Sequence, residues 1–180
     1  MAEAALADTL DAVAGCAADR RVVALDGAPG PWLPPGFEVV AQTGGGLDER
    51  LAAAWAAVGG PGLQIGMDTP QVGPDLLDAA LGTLDSADAA LGHAADGGWW
   101  AVGLHRPHQA AFLGVPMSTE RTGRAQHARL WSLGLQVAVL PTLVDLDTVD
   151  DLPAVTASGS APNTVAVAAR LGLPPVPEAA

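Results

Sequence analysis

Apolar residues at the start of the chain recur at helical spacing, with Ala5, Leu6, Leu10, Val13 and Ala17 on one face of residues 2 to 18. The continuous run RVVAL (21 to 25) then predicts a short strand, so the chain opens helix first. Proline and glycine make GAPGPWLPPG (27 to 36) a loop, FEVVA (37 to 41) predicts a second strand, and LDERLAAAWAAV (47 to 58) a second amphipathic helix. GLQIG (62 to 66) is apolar throughout and runs into Met67, Asp68, Thr69 and Pro70, the pattern of an inner parallel strand that opens into a loop. A helix over 74 to 85, with Pro74 suited to its first turn, and strands over 87 to 92 and 99 to 104 come next. Residues 118 to 134 predict a helix that starts on a Ser/Thr capping pattern and stops at Gly134. LQVAVL (135 to 140) is the last clear strand, and 143 to 155 turns from loop into helix.

Strands alternating with helices predict an α/β fold, with helices on both faces of a mostly parallel sheet. Residues 1 to 172 make one domain, and residues 173 to 180 are expected to be a frayed tail. At 180 residues, 49% of them hydrophobic, the chain can bury roughly 70% of its unfolded surface.

Charge narrows the partners. The formal net charge of -12 repels phosphate backbones and anionic lipids, so neither nucleic acid nor a membrane surface is an expected partner. All eight basic residues are arginine, which leaves no lysine for a phosphate-binding loop or a Schiff base. Cys16 is the only cysteine, so an internal disulfide and a cysteine metal cluster are excluded. No apolar stretch approaches the ~18 residues of a membrane span, and the N-terminus lacks the basic start of a leader, so a soluble cytoplasmic protein is expected.

Three acidic loops stand out: Asp68 after a buried strand, Asp96 in ADGGWW, and Asp145 with Asp147 in DLDT. Carboxylates at the ends of buried strands suit hard oxygen ligation of Mg²⁺ or Mn²⁺, although a turn or helix cap explains any one of them equally well. Asp147 or Thr148 could also cap the helix that follows. Gly97 and Gly98 either present amides to a ligand or make a plain tight turn. Trp99 and Trp100 point to opposite faces if extended, so only one can line a pocket. Arg50, one turn into a helix behind GGG, suits a phosphate or base contact, or else a surface salt bridge. The four histidines have no metal-ligand spacing.

Taken together, Gln42 with GGGLDERL, IGMDTPQ, LGHAADGGWWAVGLHRP, FLGVPMST and LVDLDTVDDL resemble the radical-SAM/selenodomain-associated transferases of type 1 (domain of unknown function 2064). These are GT-A-like relatives of nucleotide-sugar nucleotidyltransferases, and the match runs over residues 2 to about 155. The resemblance implies a Rossmann-like three-layer α/β/α sandwich of the nucleotide-diphospho-sugar transferase type. It further implies a nucleotide or nucleotide-sugar donor, a small-molecule acceptor, Mg²⁺ or Mn²⁺ as cofactor, and a homodimer as a possible assembly. On this reading Asp68 and Asp147 hold the metal, and Asp68 and Asp96 are catalytic. Gln42, Arg50, Gly97, Gly98 and Trp99 face the donor or acceptor.

Two departures from the family pattern matter. His93 replaces a proline, and the helix at Ala2 stands where the family first has a strand and an Arg/Lys-bearing Gly/Pro loop. That strand lies between those at 21 to 25 and 62 to 66, so a gapped or re-paired sheet is expected. Either the start was assigned too late or the chain is a truncated relative; the alternative function is then a non-catalytic binding or scaffold remnant.

Overall fold

The computed structural model describes residues 1–173; beyond Leu173 the expected tail lies outside the described residues. The helices are α1 (Ala2–Gly15), α2 (Leu47–Val58), α3 (Pro74–Gly82), α4 (Thr122–Ser132), α5 (Leu152–Thr156) and α6 (Pro162–Arg170). The strands are β1 (Val22–Leu25), β2 (Glu38–Ala41), β3 (Gly62–Ile65), β4 (Ala89–Ala94), β5 (Trp99–Leu104) and β6 (Val137–Leu143).

The strands form two sheets. β1 and β2 pair in parallel, and the second sheet runs in the order β3-β5-β4-β6. In the larger sheet β3, β4 and β6 share a direction and β5 runs against them. That reversal follows from connection length: the link between β4 and β5 is too short for a parallel crossover and can only make a hairpin. Among the described residues β1 pairs only with β2 and β3 only with β5.

Side-chain alternation, interrupted at a bulge where Trp100 falls between the Gly92–Ala101 and His93–Trp99 pairs, divides the core between the two faces of the larger sheet. On one face Ala90, Trp100, Ala101 and Leu140 pack with Ala12, Leu77 and Ala80 of α1 and α3. On the other, Leu91, Val102 and Leu104 pack with Leu51 and Trp55 of α2, Phe112, and Leu130 of α4. Each buried Leu, Val or Phe among them stabilises the fold by about 1.5–3 kcal/mol. Trp55 stacks on Phe112 at 6.0 Å and donates Nε1–H to Gln64 Oε1 at 2.7 Å, which docks α2 on β3.

The smaller sheet is less covered. All four residues of β1 are half-buried, and Val39 of β2 is 40% exposed. Arginines anchor it: Arg21 donates to the Val13 and Cys16 carbonyls at the end of α1, and Arg20 donates to the Val58 carbonyl at the end of α2.

Three departures from the periodicity have a physical cause. The helix expected from 118 begins at Thr122, because Ser118 takes a positive φ of 55° and breaks the capping pattern. β6 runs past residue 140 through Pro141, which an edge strand tolerates because its missing N–H is not needed for pairing on the open side. α6 was not anticipated at all. Its N-terminus is capped from far away: Asp8 of α1, 2% exposed, accepts from Asn163 N at 2.9 Å and Thr164 N at 2.8 Å.

Candidate functional site

The loop after β3 carries Asp68 to the carboxyl edge of the sheet, where ligands bind in open α/β folds. It is joined there to the loop after β6. Leu146 N–H donates to the Asp68 carbonyl at 2.7 Å, and Gln71 Nε2–H donates to the Val144 carbonyl at 2.6 Å. Two segments far apart in sequence thereby place Asp68, Asp145 and Asp147 together.

The third acidic loop is the β4–β5 turn. Asp96 Oδ1 accepts from Gly98 N at 2.7 Å, and Gly97 N donates to the Ala94 carbonyl at 3.1 Å. Both glycine amides are therefore engaged inside the turn, which is the tight-turn alternative for this pair. Gly97 has φ +95°, and a Cβ there would run into the Glu120 carbonyl; a Cβ on Gly123 would run into the Gly98 carbonyl. The missing side chains let the start of α4 close against the turn, sealed by Gly123 N donating to the Gly97 carbonyl at 2.8 Å.

Electrostatics bind these loops into one group. Burial raises the Asp68 carboxyl above its ordinary value, and the charges of Asp147 and Asp96 raise it further. Burial pushes Asp145 up to about 7, with Asp68, Asp96, Asp147 and Asp151 adding to the effect. Carboxylates whose charges reach Asp68 and Asp145 in this way share a site. Their side chains are not drawn into metal-holding geometry: among the described residues no three His, Cys, Asp or Glu converge closely enough. The donor chemistry nonetheless fits a hard divalent cation, because Asp145 Oδ1 is buried and has no hydrogen-bond partner.

Capping falls to Thr148 rather than Asp147. Thr148 and Asp151 form a reciprocal capping box, with Thr148 N–H donating to Asp151 Oδ2 at 2.7 Å. Those hydrogen bonds hold the Asp151 carboxyl below its usual range. Asp147 is exposed and takes no part in the cap.

Gln42 and Arg50 meet at the end of β2. Gln42 Nε2–H donates to the Ala24 carbonyl at 3.0 Å and Arg50 Nη1–H to Gln42 Oε1 at 3.2 Å, so Arg50 pairs with an amide and not with a surface carboxylate. The tryptophans separate as their alternation requires. Trp100 is fully buried, with Nε1–H donating to the Pro141 carbonyl at 2.9 Å, while Trp99 lies half-buried on the α4 face. Elsewhere at this end, His93 and His127 sit edge to face at 6.1 Å, and burial followed by the His127 charge lowers the pKa of His93.

Buried polar atoms without partners fall mostly on the site residues named above and in the loops that carry Asp68 and Asp145. Of the seven among the described residues, five belong to Arg50, Thr69, Gln71, Trp99 and Asp145. Native interiors leave few such atoms, so their clustering marks a place built for something other than packing. Thr69 and Gln71 are additions to the site read from sequence, and Asp145 moves from one of its loop carboxylates to a buried, unpaired one. Their signal was adjacency to Asp68 and Asp147, but only the folded chain reveals which of their atoms go unpaired.

The sequence pattern of the family described as "Uncharacterized protein conserved in bacteria (DUF2064)" matches residues 1–119, more than half of the chain. The chain belongs to this family. This DUF2064 protein is also similar to the crystal structure of a "putative nucleotide-diphospho-sugar transferase" from Desulfovibrio desulfuricans G20. The two share 25% identity and superpose with a TM-score of 0.81, over 96% of this chain and 82% of that one. No curated protein matches the DUF2064 chain. The α/β architecture is thus GT-A-like, and Asp68, Gln42, Arg50, Asp96, Gly97, Gly98 and Trp99 all lie within the matched segment. Asp145 and Asp147 lie beyond it. Among the described residues no helix is long and apolar enough to cross a membrane.

Proposed function

We propose that this chain is a transferase that binds a nucleotide or nucleotide-sugar donor and moves a glycosyl or nucleotidyl group to a small-molecule acceptor. The observation that carries the reading is the joining of the Asp68 and Asp145–Asp147 loops, where burial and neighbouring carboxylates raise Asp68 and Asp145. The similarity to a nucleotide-diphospho-sugar transferase structure supports the donor class.

Asp68 and Asp147 would hold Mg²⁺ or Mn²⁺, with Asp145 Oδ1 beside them; the cation supplies positive charge against the donor diphosphate. Arg50 and Gln42, locked to each other, present a cation and an amide to the donor from the end of β2. Asp96, with one oxygen held by Gly98 N, keeps the other for the acceptor hydroxyl. In the transfer the acceptor oxygen bonds to the donor's reacting carbon or phosphorus. The bond to the diphosphate leaving group breaks, the electron pair departs with that group, and the hydroxyl proton passes to the Asp96 carboxylate.

Isothermal titration with nucleotides and nucleotide sugars in Mn²⁺ tests this. Binding that needs the metal and disappears in Asp68→Ala, with an unaltered circular dichroism spectrum, is the expected result. Equal affinity in Asp68→Ala refutes the metal assignment, and no heat with any donor sinks the transferase reading. The second reading, a binding scaffold of the same fold, draws support from the lack of lysine and the half-exposed β1. A melting temperature unmoved by nucleotides and metals favours it.

A further inference from the structure

β6 is an edge strand, and among the described residues it pairs only with β4. The pairing is parallel, and the Gln136 carbonyl accepts from Ala89 N at 3.1 Å. In a parallel ladder alternate residues turn both polar groups to the same side. Ala138 and Leu140 therefore bond toward β4, while Val137 and Val139 direct theirs away from the sheet. Their side chains share the α4 face, where Val137 packs against the core cluster and Val139 remains 63% exposed. Beside them Trp131, in the last turn of α4, is 77% exposed and lines a cleft of about 550 Å³ with His127, Leu135 and Val137.

Monomeric proteins usually blunt such an edge with charge. Here the charge pattern does the reverse: residues 130 to 144 carry none, and no acidic residue occurs between Glu120 and Asp145, in a chain of net charge -12. Two copies repel over most approaches, and least over this edge.

We propose that β6 is a homodimer interface, pairing antiparallel with β6 of a second copy about a twofold axis and extending the sheet across both. Identical strands related in this way are self-complementary, as an isologous contact requires. The free backbone groups also choose the register. With Ala138 opposite Ala138, Val137 of each copy faces Val139 of the other in hydrogen-bonded pairs, and both valines' outward N–H and C=O groups are used. Pro141 has no N–H to offer, its carbonyl already accepts from Trp100, and this register leaves it outside the paired stretch. Trp131 of each copy then covers Val139 of the other.

The proposal is independent of the transferase reading and is tested on the full chain by light scattering across a dilution series. A dimer is expected, falling to half its mass in Val139→Lys and in Trp131→Ala, both exposed positions whose circular dichroism stays unchanged. Under mild oxidation Ala138→Cys forms an interchain disulfide, since the Cα atoms of a non-hydrogen-bonded pair lie about 4.5 Å apart, within disulfide reach. Gln136→Cys, whose counterpart is Leu140 in this register, gives no such crosslink, and neither does buried Cys16. A monomer at every concentration overturns the proposal, including one that accepts an extended peptide along this edge. A dimer that survives Val139→Lys, or a crosslink at 136 in place of 138, overturns it equally.

Discussion

Leu146 N–H donates to the carbonyl of Asp68 at 2.7 Å, a main-chain bond between residues on opposite sides of β4, β5 and α4 in the sequence. Through it two acidic loops become one wall, where burial and then the neighbouring carboxylates raise Asp68 and Asp145.

Asp145 makes stability depend on pH. Its folded value of about 7 lies above the ordinary 3.8, so its contribution is fully present below 3.8 and lost as pH rises through 7. The group is only half-buried, so solvent screening reduces the effect to about 1 kcal/mol. Asp145→Asn is expected to flatten the melting profile between these limits and to raise the melting temperature at pH 8 by roughly 2–4 °C. Parallel profiles for the two proteins would contradict this.

Gly97 separates backbone shape from ligand contact. Gly97→Ala combines a positive φ of 95° with a Cβ directed into the Glu120 carbonyl, at a cost of about 2–4 kcal/mol. Differential scanning calorimetry is expected to register a large fall in melting temperature. Gly82→Ala is the control: its φ is ordinary, no atom lies within 4 Å of an added Cβ, and the exchange gains roughly 0.5–1 kcal/mol in a helix.

Asp8→Ala removes the acceptor of the Asn163 and Thr164 amides and leaves the start of α6 unsatisfied. A loss of about 2 kcal/mol is expected in denaturant unfolding, with slower hydrogen exchange lost first at residues 163 to 165. Full protection of those amides in the variant would show that the cap is dispensable.

Arg50→Ala tests the donor side of the site. It breaks only the contact to Gln42, so the melting temperature should hold, while donor affinity falls roughly tenfold or more if a charge-assisted bond to the donor is lost. Titration of both proteins under the same conditions decides between a ligand contact and a role confined to holding Gln42.

The order and type of most elements were legible in the sequence, because apolar spacing is a local property. α2 and β5 coincide with their apolar runs, and the separation of Trp99 from Trp100 followed from strand alternation alone. The sequence alone also placed Asp68, Asp96, Asp145 and Asp147 at strand ends or in loops, whereas the antiparallel pairing of β5 within a mostly parallel sheet was not read from it.

Tertiary structure decided what depends on partners distant in the chain. α6 rests on a cap supplied by Asp8 from α1, a hydrogen bond that spans 155 residues and leaves no local pattern. Asp145 looked like one more loop carboxylate until burial and the folded neighbours Asp68 and Asp96 raised it. The uncharged edge of β6 is visible as composition, but only strand order places it at the rim of the sheet instead of its centre. Spacing determines which face a residue takes; only the closed fold determines what that face meets.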